Sequence, residues 1–120
     1  IVFVGCEDKI PETPENFDKD LWEDSVRVIR IIYDTYEKDN NFSVDDEDAI
    51  EEYFDIYKNR LYDNADEYEL ITNIQDLYKN YKTYIFSKST FSNEEYVKQD
   101  KEKVSKCFSQ LQDKFGDLVK

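Results

Sequence analysis

From Asn16 onward, hydrophobic side chains recur every three or four residues, which is the period of an amphipathic helix. A first helix is predicted to open within Asn16–Asp18 and to stop at the polar run 39–41. Ser43 starts a second helix, because Asp46 follows at the spacing of a capping box. The run 63–66 then breaks this second helix.

A third helix is predicted from about Asp66 to Phe86, and a fourth begins near Asn93 or Glu94 after the loop 87–93. The helices turn apolar stripes inward, formed by Leu21, Trp22, Val26, Val28, Ile29, Ile32, Tyr33, Tyr36, Ala49, Ile50, Tyr53, Phe54, Tyr57, Leu61, Leu70, Ile71, Ile74, Leu77, Tyr78, Tyr81, Ile85, Val97, Val104, Phe108, Leu111, Phe115 and Leu118. No strand pattern competes within 16–120. The sequence therefore predicts an all-α bundle of three to four amphipathic helices with short loops.

Composition supports a folded domain with no catalytic chemistry. The chain has 120 residues and 16% aromatic side chains, with only two glycines and two prolines, which argues against disorder. Histidine is absent, so the commonest general base and transition-metal ligand is missing. We expect no enzyme activity and no cofactor.

The net charge is −13 and is concentrated in the first half of the chain. Residues 1–60 hold 18 Asp and Glu against 7 Lys and Arg, whereas residues 61–120 hold 11 against 9. A negative field repels phosphate backbones and anionic lipid head groups. We therefore expect no direct nucleic-acid binding and a protein partner with a basic surface.

The most hydrophobic stretch, IVFVGC, lies at the start and stops at a cysteine. Phe3-Val4-Gly5-Cys6 resembles the lipobox of bacterial lipoproteins of Gram-positive type, although Phe3 departs from the usual leucine. The resemblance implies that 1–5 are the tail of a signal peptide and that Cys6 carries a lipid anchor at the extracellular face of the cell membrane. Residues 6–15 are polar and hold both prolines, which is typical of a flexible acidic tether before the bundle of 16–120.

Two alternatives remain for this region. The run IVFVGC also fits a short strand or segment docked on the helices, since periodicity cannot decide over so few residues. Cys6 and Cys107 are the two cysteines, and in an exported protein they permit a disulfide. If Cys6 is acylated, Cys107 is a free thiol, and burial as a small apolar side chain is expected.

The stretch EKDNNFSVDDED offers the alternating oxygen ligands of a calcium loop between two predicted helices. The candidate ligands are Glu37, Asp39, Asn41, Ser43, Asp45 and Asp48. Phe42 stands where glycine supplies the sharp turn, and Asp48 is shorter than the bidentate glutamate. The alternative is an ordinary acidic turn that favours the next helix N-terminus.

Two groups of residues are candidate partner contacts. The carboxylates of Asp48, Glu51, Glu52 and Asp55 share one helix face, which is either a solvated surface or a docking surface for a basic partner. The aromatic candidates, expected to be exposed, are Tyr62, Tyr68, Tyr84, Phe91 and Tyr96.

These features predict a small exported, lipid-anchored helical protein that binds another protein at the bacterial cell surface. Analogy with other small helical lipoproteins suggests an exclusion or immunity role. An alternative is a cytoplasmic acidic inhibitor that mimics nucleic acid and blocks a nucleic-acid-binding protein. A third hypothesis is a calcium-binding helical module.

Overall fold

A computed structural model describes residues 9–60, 64–90 and 93–119 of the chain. Within these ranges it contains four helices and no strand: α1 (Lys19–Glu37), α2 (Val44–Tyr57), α3 (Ala65–Thr90) and α4 (Glu94–Phe115). The predicted all-α bundle is therefore confirmed. Residues 1–8, which include Cys6, and the core candidate Leu61 lie outside the described ranges.

Three helix starts are fixed by side chains that accept a hydrogen bond from the first turn. Asp18 accepts from the amide of Leu21 at 3.0 Å, and Ser43 accepts from the amide of Asp46 at 3.1 Å. Asn93 caps α4 in the same way. Each cap satisfies a backbone N–H that lacks a partner within the helix. The helix starts predicted at these residues are confirmed.

Helix α3 is longer than the sequence predicts, because it continues to Thr90 rather than ending near Phe86. Residues 87–90, which belong to the segment predicted to be a loop, are helical, and their serine hydroxyls bond to neighbouring groups. Ser87 is buried, and its hydroxyl donates to Asp100 Oδ2 of α4 at 2.5 Å. The hydroxyl of Ser89 donates back to the carbonyl of Ile85 at 3.1 Å.

The core draws on all four helices and on the segment after α4. Trp22, Tyr53 and Tyr81 are its largest fully buried side chains. Helix α1 packs against both α2 and α3, while α4 packs mainly against α3. The contacts Ser87–Asp100 and Asn80–Cys107 show that α3 and α4 run antiparallel.

Residues 9–11, which belong to the described part of the predicted tether, contact the helical bundle. Ile10 packs against the core, and the indole of Trp22 donates to the carbonyl of Pro11 at 2.9 Å. Arg30 donates from Nη2 to the carbonyl of Lys9 at 3.0 Å and from Nε to the carbonyl of Leu118 at 2.8 Å. Residues 9–11 therefore lie against α1, because the buried indole and the guanidinium both find backbone acceptors there.

Candidate functional site

The outer surface of α2 carries a cluster of negative charge. The helix buries Ile50, Tyr53, Phe54 and Tyr57. Its opposite side exposes four carboxylates, which we call the α2 acidic face: Asp48, Glu51, Glu52 and Asp55. The sequence has no Lys or Arg between residues 39 and 57, so α2 contains no cation of its own to neutralise this face.

Two exposed apolar side chains accompany the α2 acidic face. Val44 is 77% exposed in the first turn of α2, and Ile56 is 47% exposed near its end. Apolar groups beside a charged surface add contact area for a protein partner without requiring a deep pocket. Sequence reasoning missed both residues, because it considered aliphatic side chains only as core candidates.

Tyr78 and Lys82 of α3 lie close to Glu47 and Glu51 of α2, beside this face. We call these four residues the α2–α3 site. The Tyr78 ring lies against Phe42, with ring centroids 5.4 Å apart. The Lys82 ammonium stands 5.0 Å from the centroid of the Tyr78 ring and 4.0 Å from Glu47 Oε1.

The Tyr78 hydroxyl has an unusual environment. The residue is only 9% exposed, and its Oη is the one buried side-chain polar atom without a hydrogen-bond partner among the described residues. Burial, followed by the negative charges of Glu47 and Glu51, raises the pKa of Tyr78 to about 12. The hydroxyl is thus neutral, lies within the field of two carboxylates and is bonded to neither.

The turn between α1 and α2 gives no support to the calcium hypothesis. Asp39, at a positive φ of 55°, pairs through Oδ2 with Lys88 Nζ at 2.5 Å and accepts the Tyr84 hydroxyl on Oδ1 at 2.7 Å. Ser43 is occupied as the N-cap, and Asp45 already lies within α2. In residues 9–60, 64–90 and 93–119, no group of three His, Cys, Asp or Glu side chains is placed to hold a metal ion.

The aromatic residues predicted to be exposed have three different outcomes. Tyr68 and Tyr96 are exposed, as expected. For Tyr84 the expectation is wrong, because the residue is buried with its hydroxyl on Asp39. Tyr62 and Phe91 lie outside the described residues.

Cys107 is a half-buried free thiol on α4. Burial raises the pKa of this thiol, and the Asn80 amide donates to its sulfur at 3.4 Å. A raised pKa keeps the sulfur protonated and poorly nucleophilic at neutral pH. The environment therefore suits the apolar filling role predicted for Cys107.

A second concavity of about 230 Å³ lies where the chain folds back after α4. Ile29, Phe108 and Leu118 are among the apolar residues in its wall, and Tyr33 and Asp117 lie at the same site. Its volume is below the roughly 300–1,000 Å³ typical of small-molecule sites. None of its lining residues forms a nucleophile and base pair.

Comparisons of the chain with protein-family models, with curated proteins and with solved structures give no match. None of the described helices is long and apolar enough to cross a membrane. The α2 acidic face, the adjoining α2–α3 site and the exposed side chains of Val44 and Ile56 together form the candidate site.

Proposed function

We propose that this chain is a small exported, lipid-anchored helical protein that binds another protein at the bacterial cell surface. The observation that supports the binding role is the α2 acidic face, where Asp48, Glu51, Glu52 and Asp55 are all exposed on one helix. The partner has a basic surface. An exclusion or immunity role fits such a protein by analogy with small lipoproteins.

Charge is the physical basis of this proposal. Like charges one helical turn apart destabilise a helix by a few tenths of a kcal/mol per pair, about 0.2–0.5. A basic partner removes that repulsion when it binds, so the free energy recovered adds to affinity. The same field accelerates the encounter at low ionic strength.

The binding role can be tested by photo-crosslinking in host cells. A photo-reactive residue replaces Ile56, which is 47% exposed beside the α2 acidic face, or Phe86, which is 60% exposed on α3. We expect a discrete adduct from position 56 and not from position 86. The double variant Glu51→Gln/Asp55→Asn should abolish the adduct, while Glu95→Gln/Glu102→Gln on α4 should retain it.

Equal adducts from both positions, or an adduct that forms equally well in Glu51→Gln/Asp55→Asn, would contradict a docking role for this face. If duplex DNA competes for the captured protein, the nucleic-acid mimic becomes the better explanation. Competition of that kind would weaken steeply as salt increases, since it depends on counterion release.

The anchor is proposed from Cys6 and the residues before it. Mass spectrometry of the protein isolated from host membranes should find a diacylglyceryl group on the Cys6 sulfur. Cys6→Ser should move the protein from the membrane fraction into the medium, because stable anchoring depends on acyl chains. An unmodified sulfur, or unchanged fractionation of Cys6→Ser, would refute the anchor and leave the bundle intact.

A further inference from the structure

The Tyr78 hydroxyl has no role in the folding of the free protein. Its ring fits between Phe42 and Phe54, with centroid distances of 5.4 Å and 5.8 Å, and a phenylalanine ring would make the same contacts. Its Oη is buried and lacks a partner within the described ranges. A buried hydroxyl that forms no hydrogen bond loses its hydration without compensation and destabilises the fold.

The surroundings of this hydroxyl already attract a cation. Lys82 Nζ lies over the Tyr78 ring at 5.0 Å and reaches Glu47 at 4.0 Å, the outer limit of an ion pair. The Lys82 and Glu47 side chains are 48% and 44% exposed, so water screens their pairing and either can move aside. Glu51, the other charge acting on the hydroxyl, is also exposed.

An arginine side chain matches this set of acceptors better than a lysine does. A guanidinium carries five N–H donors in a planar fork, so one group can bind a carboxylate with two hydrogen bonds and still donate to a third oxygen. An ammonium is a point charge with three donors and is more strongly hydrated. Lys82 already supplies an ammonium, and it leaves Tyr78 Oη without a bond.

We propose that the α2–α3 site binds arginine: a partner's guanidinium displaces Lys82, pairs with Glu47 and Glu51 and donates a hydrogen bond to Tyr78 Oη. This inference rests on the proposed function, in that the arginine belongs to the basic protein partner. Binding requires the exposed Lys82 side chain to leave Glu47 and the Tyr78 ring, and a local shift that admits the guanidinium to Tyr78 Oη, because this atom is buried in the free protein. The hydroxyl then gains the bond that the free protein does not provide.

The test is a titration of the full chain with a capped pentapeptide that carries two arginines between glycines. Matched peptides carry lysine or uncharged citrulline at the same positions. Binding is measured by calorimetry and by the amide shifts of α2 and α3. Tyr78→Phe removes only the hydroxyl, and Tyr68→Phe is its control at an exposed position.

We expect the arginine peptide to bind at least about tenfold more tightly than either analogue, and Tyr78→Phe to weaken it by about tenfold, as for a hydrogen bond to a charged group. Glu47→Gln should weaken it comparably, whereas Glu102→Gln on α4 should not. Lys82→Met should strengthen it, because a competing cation is removed. Tyr78→Phe should melt no lower than the parent, since it deletes an unpaired group.

Three results would overturn the inference. Binding that is unchanged in Tyr78→Phe shows that the hydroxyl is not used, and equal affinity for arginine and lysine peptides shows that only charge is recognised. If binding of the arginine peptide depends on Glu51 and Asp55 but not on Tyr78 or Glu47, the proposed arginine site is wrong while the proposed function stands. If no basic peptide binds at low salt, both fail.

Discussion

The turn between α1 and α2 depends on Asp39. Replacing this residue should lower the free energy of unfolding more than a substitution at an exposed position normally does. Asp39 has a φ of 55°, and it accepts the hydroxyl of Tyr84, which is only 3% exposed, at 2.7 Å. Asp39→Ala removes the short polar side chain that makes the left-handed region accessible to an aspartate, at about 1–2 kcal/mol. It also leaves the Tyr84 hydroxyl unpaired, at about 1–3 kcal/mol.

The ion pair between Lys88 and Asp39 adds little to the destabilisation expected from Asp39→Ala. Both side chains are about two-fifths exposed, at 41% and 42%, so the pair contributes less than about 1 kcal/mol. We expect Asp39→Ala to lower the free energy of unfolding by about 2–5 kcal/mol, combining the backbone and hydroxyl costs. Urea denaturation followed by circular dichroism at neutral pH measures this difference.

Two further substitutions separate the backbone cost from the side-chain cost. Asp39→Asn tolerates the left-handed conformation and keeps an acceptor for Tyr84, so it should cost about 1 kcal/mol or less. Asp39→Gly relieves the backbone but not Tyr84, so it should fall between Asn and Ala. The reasoning is refuted if Asp39→Asn is as destabilising as Asp39→Ala, because neither the φ angle nor the acceptor would then matter.

The charge of Asp39 also has a pH signature. Lys88, followed by the Tyr84 hydroxyl, holds the pKa of Asp39 below its ordinary value of 3.8. A lowered pKa means that the unfolded chain binds the proton more readily than the folded one does. The stabilisation is therefore complete above pH 3.8 and is lost as pH falls through the folded pKa. The stability difference between parent and Asp39→Asn should shrink over that range.

Three other features give direct tests. Ser25 Oγ and Tyr53 Oη lie 2.6 Å apart at fully buried positions of α1 and α2, so a double-mutant cycle of Ser25→Ala and Tyr53→Phe should give a coupling energy of about 1 kcal/mol. A coupling near zero would contradict the bond. Gly116 has φ 87° and ψ −172°, with open space where a Cβ would lie, and Gly116→Ala should lower stability by about 1–3 kcal/mol from backbone strain alone. Urea melts that superimpose would contradict this. Burial raises the pKa of Cys107. In the Cys6→Ser variant, where Cys107 is the remaining cysteine, iodoacetamide should therefore alkylate the thiol of the native protein far more slowly than that of the urea-unfolded protein. Equal rates would show that the sulfur is accessible.

Sequence reasoning succeeded where structure is set by neighbouring residues. The caps at Ser43 and Asn93 bond to amides two or three residues ahead, so the helix starts could be predicted from short motifs. The end of α3 could not be predicted in this way. Ser87 remains helical and buried because Asp100, thirteen residues later, accepts its hydroxyl, and no local pattern encodes that contact.

The same distinction explains the error at Tyr84. Tyr68 and Tyr84 both lie on α3 and away from its predicted stripe, but only Tyr68 is exposed. Tyr84 is covered because Asp39, forty-five residues earlier, brings its carboxylate onto the hydroxyl. The α2–α3 site at Tyr78 was missed for a related reason. The sequence correctly assigns the Tyr78 ring to the core, but it does not show whether the hydroxyl has a hydrogen-bond partner.

The other buried tyrosines show why the Tyr78 hydroxyl differs from the rest of the core. Tyr53 bonds to Ser25, Tyr57 donates to Asp24 at 2.7 Å, and Tyr81 donates to the carbonyl of Thr35 at 3.1 Å. The fold thus repeatedly gives a hydroxyl a partner on α1, and Tyr78 is the exception within the described ranges. That exception borders α2, which has no Lys or Arg of its own between Val44 and Tyr57. In the proposed complex, one guanidinium would both pair with the carboxylates of α2 and give the Tyr78 hydroxyl its hydrogen bond.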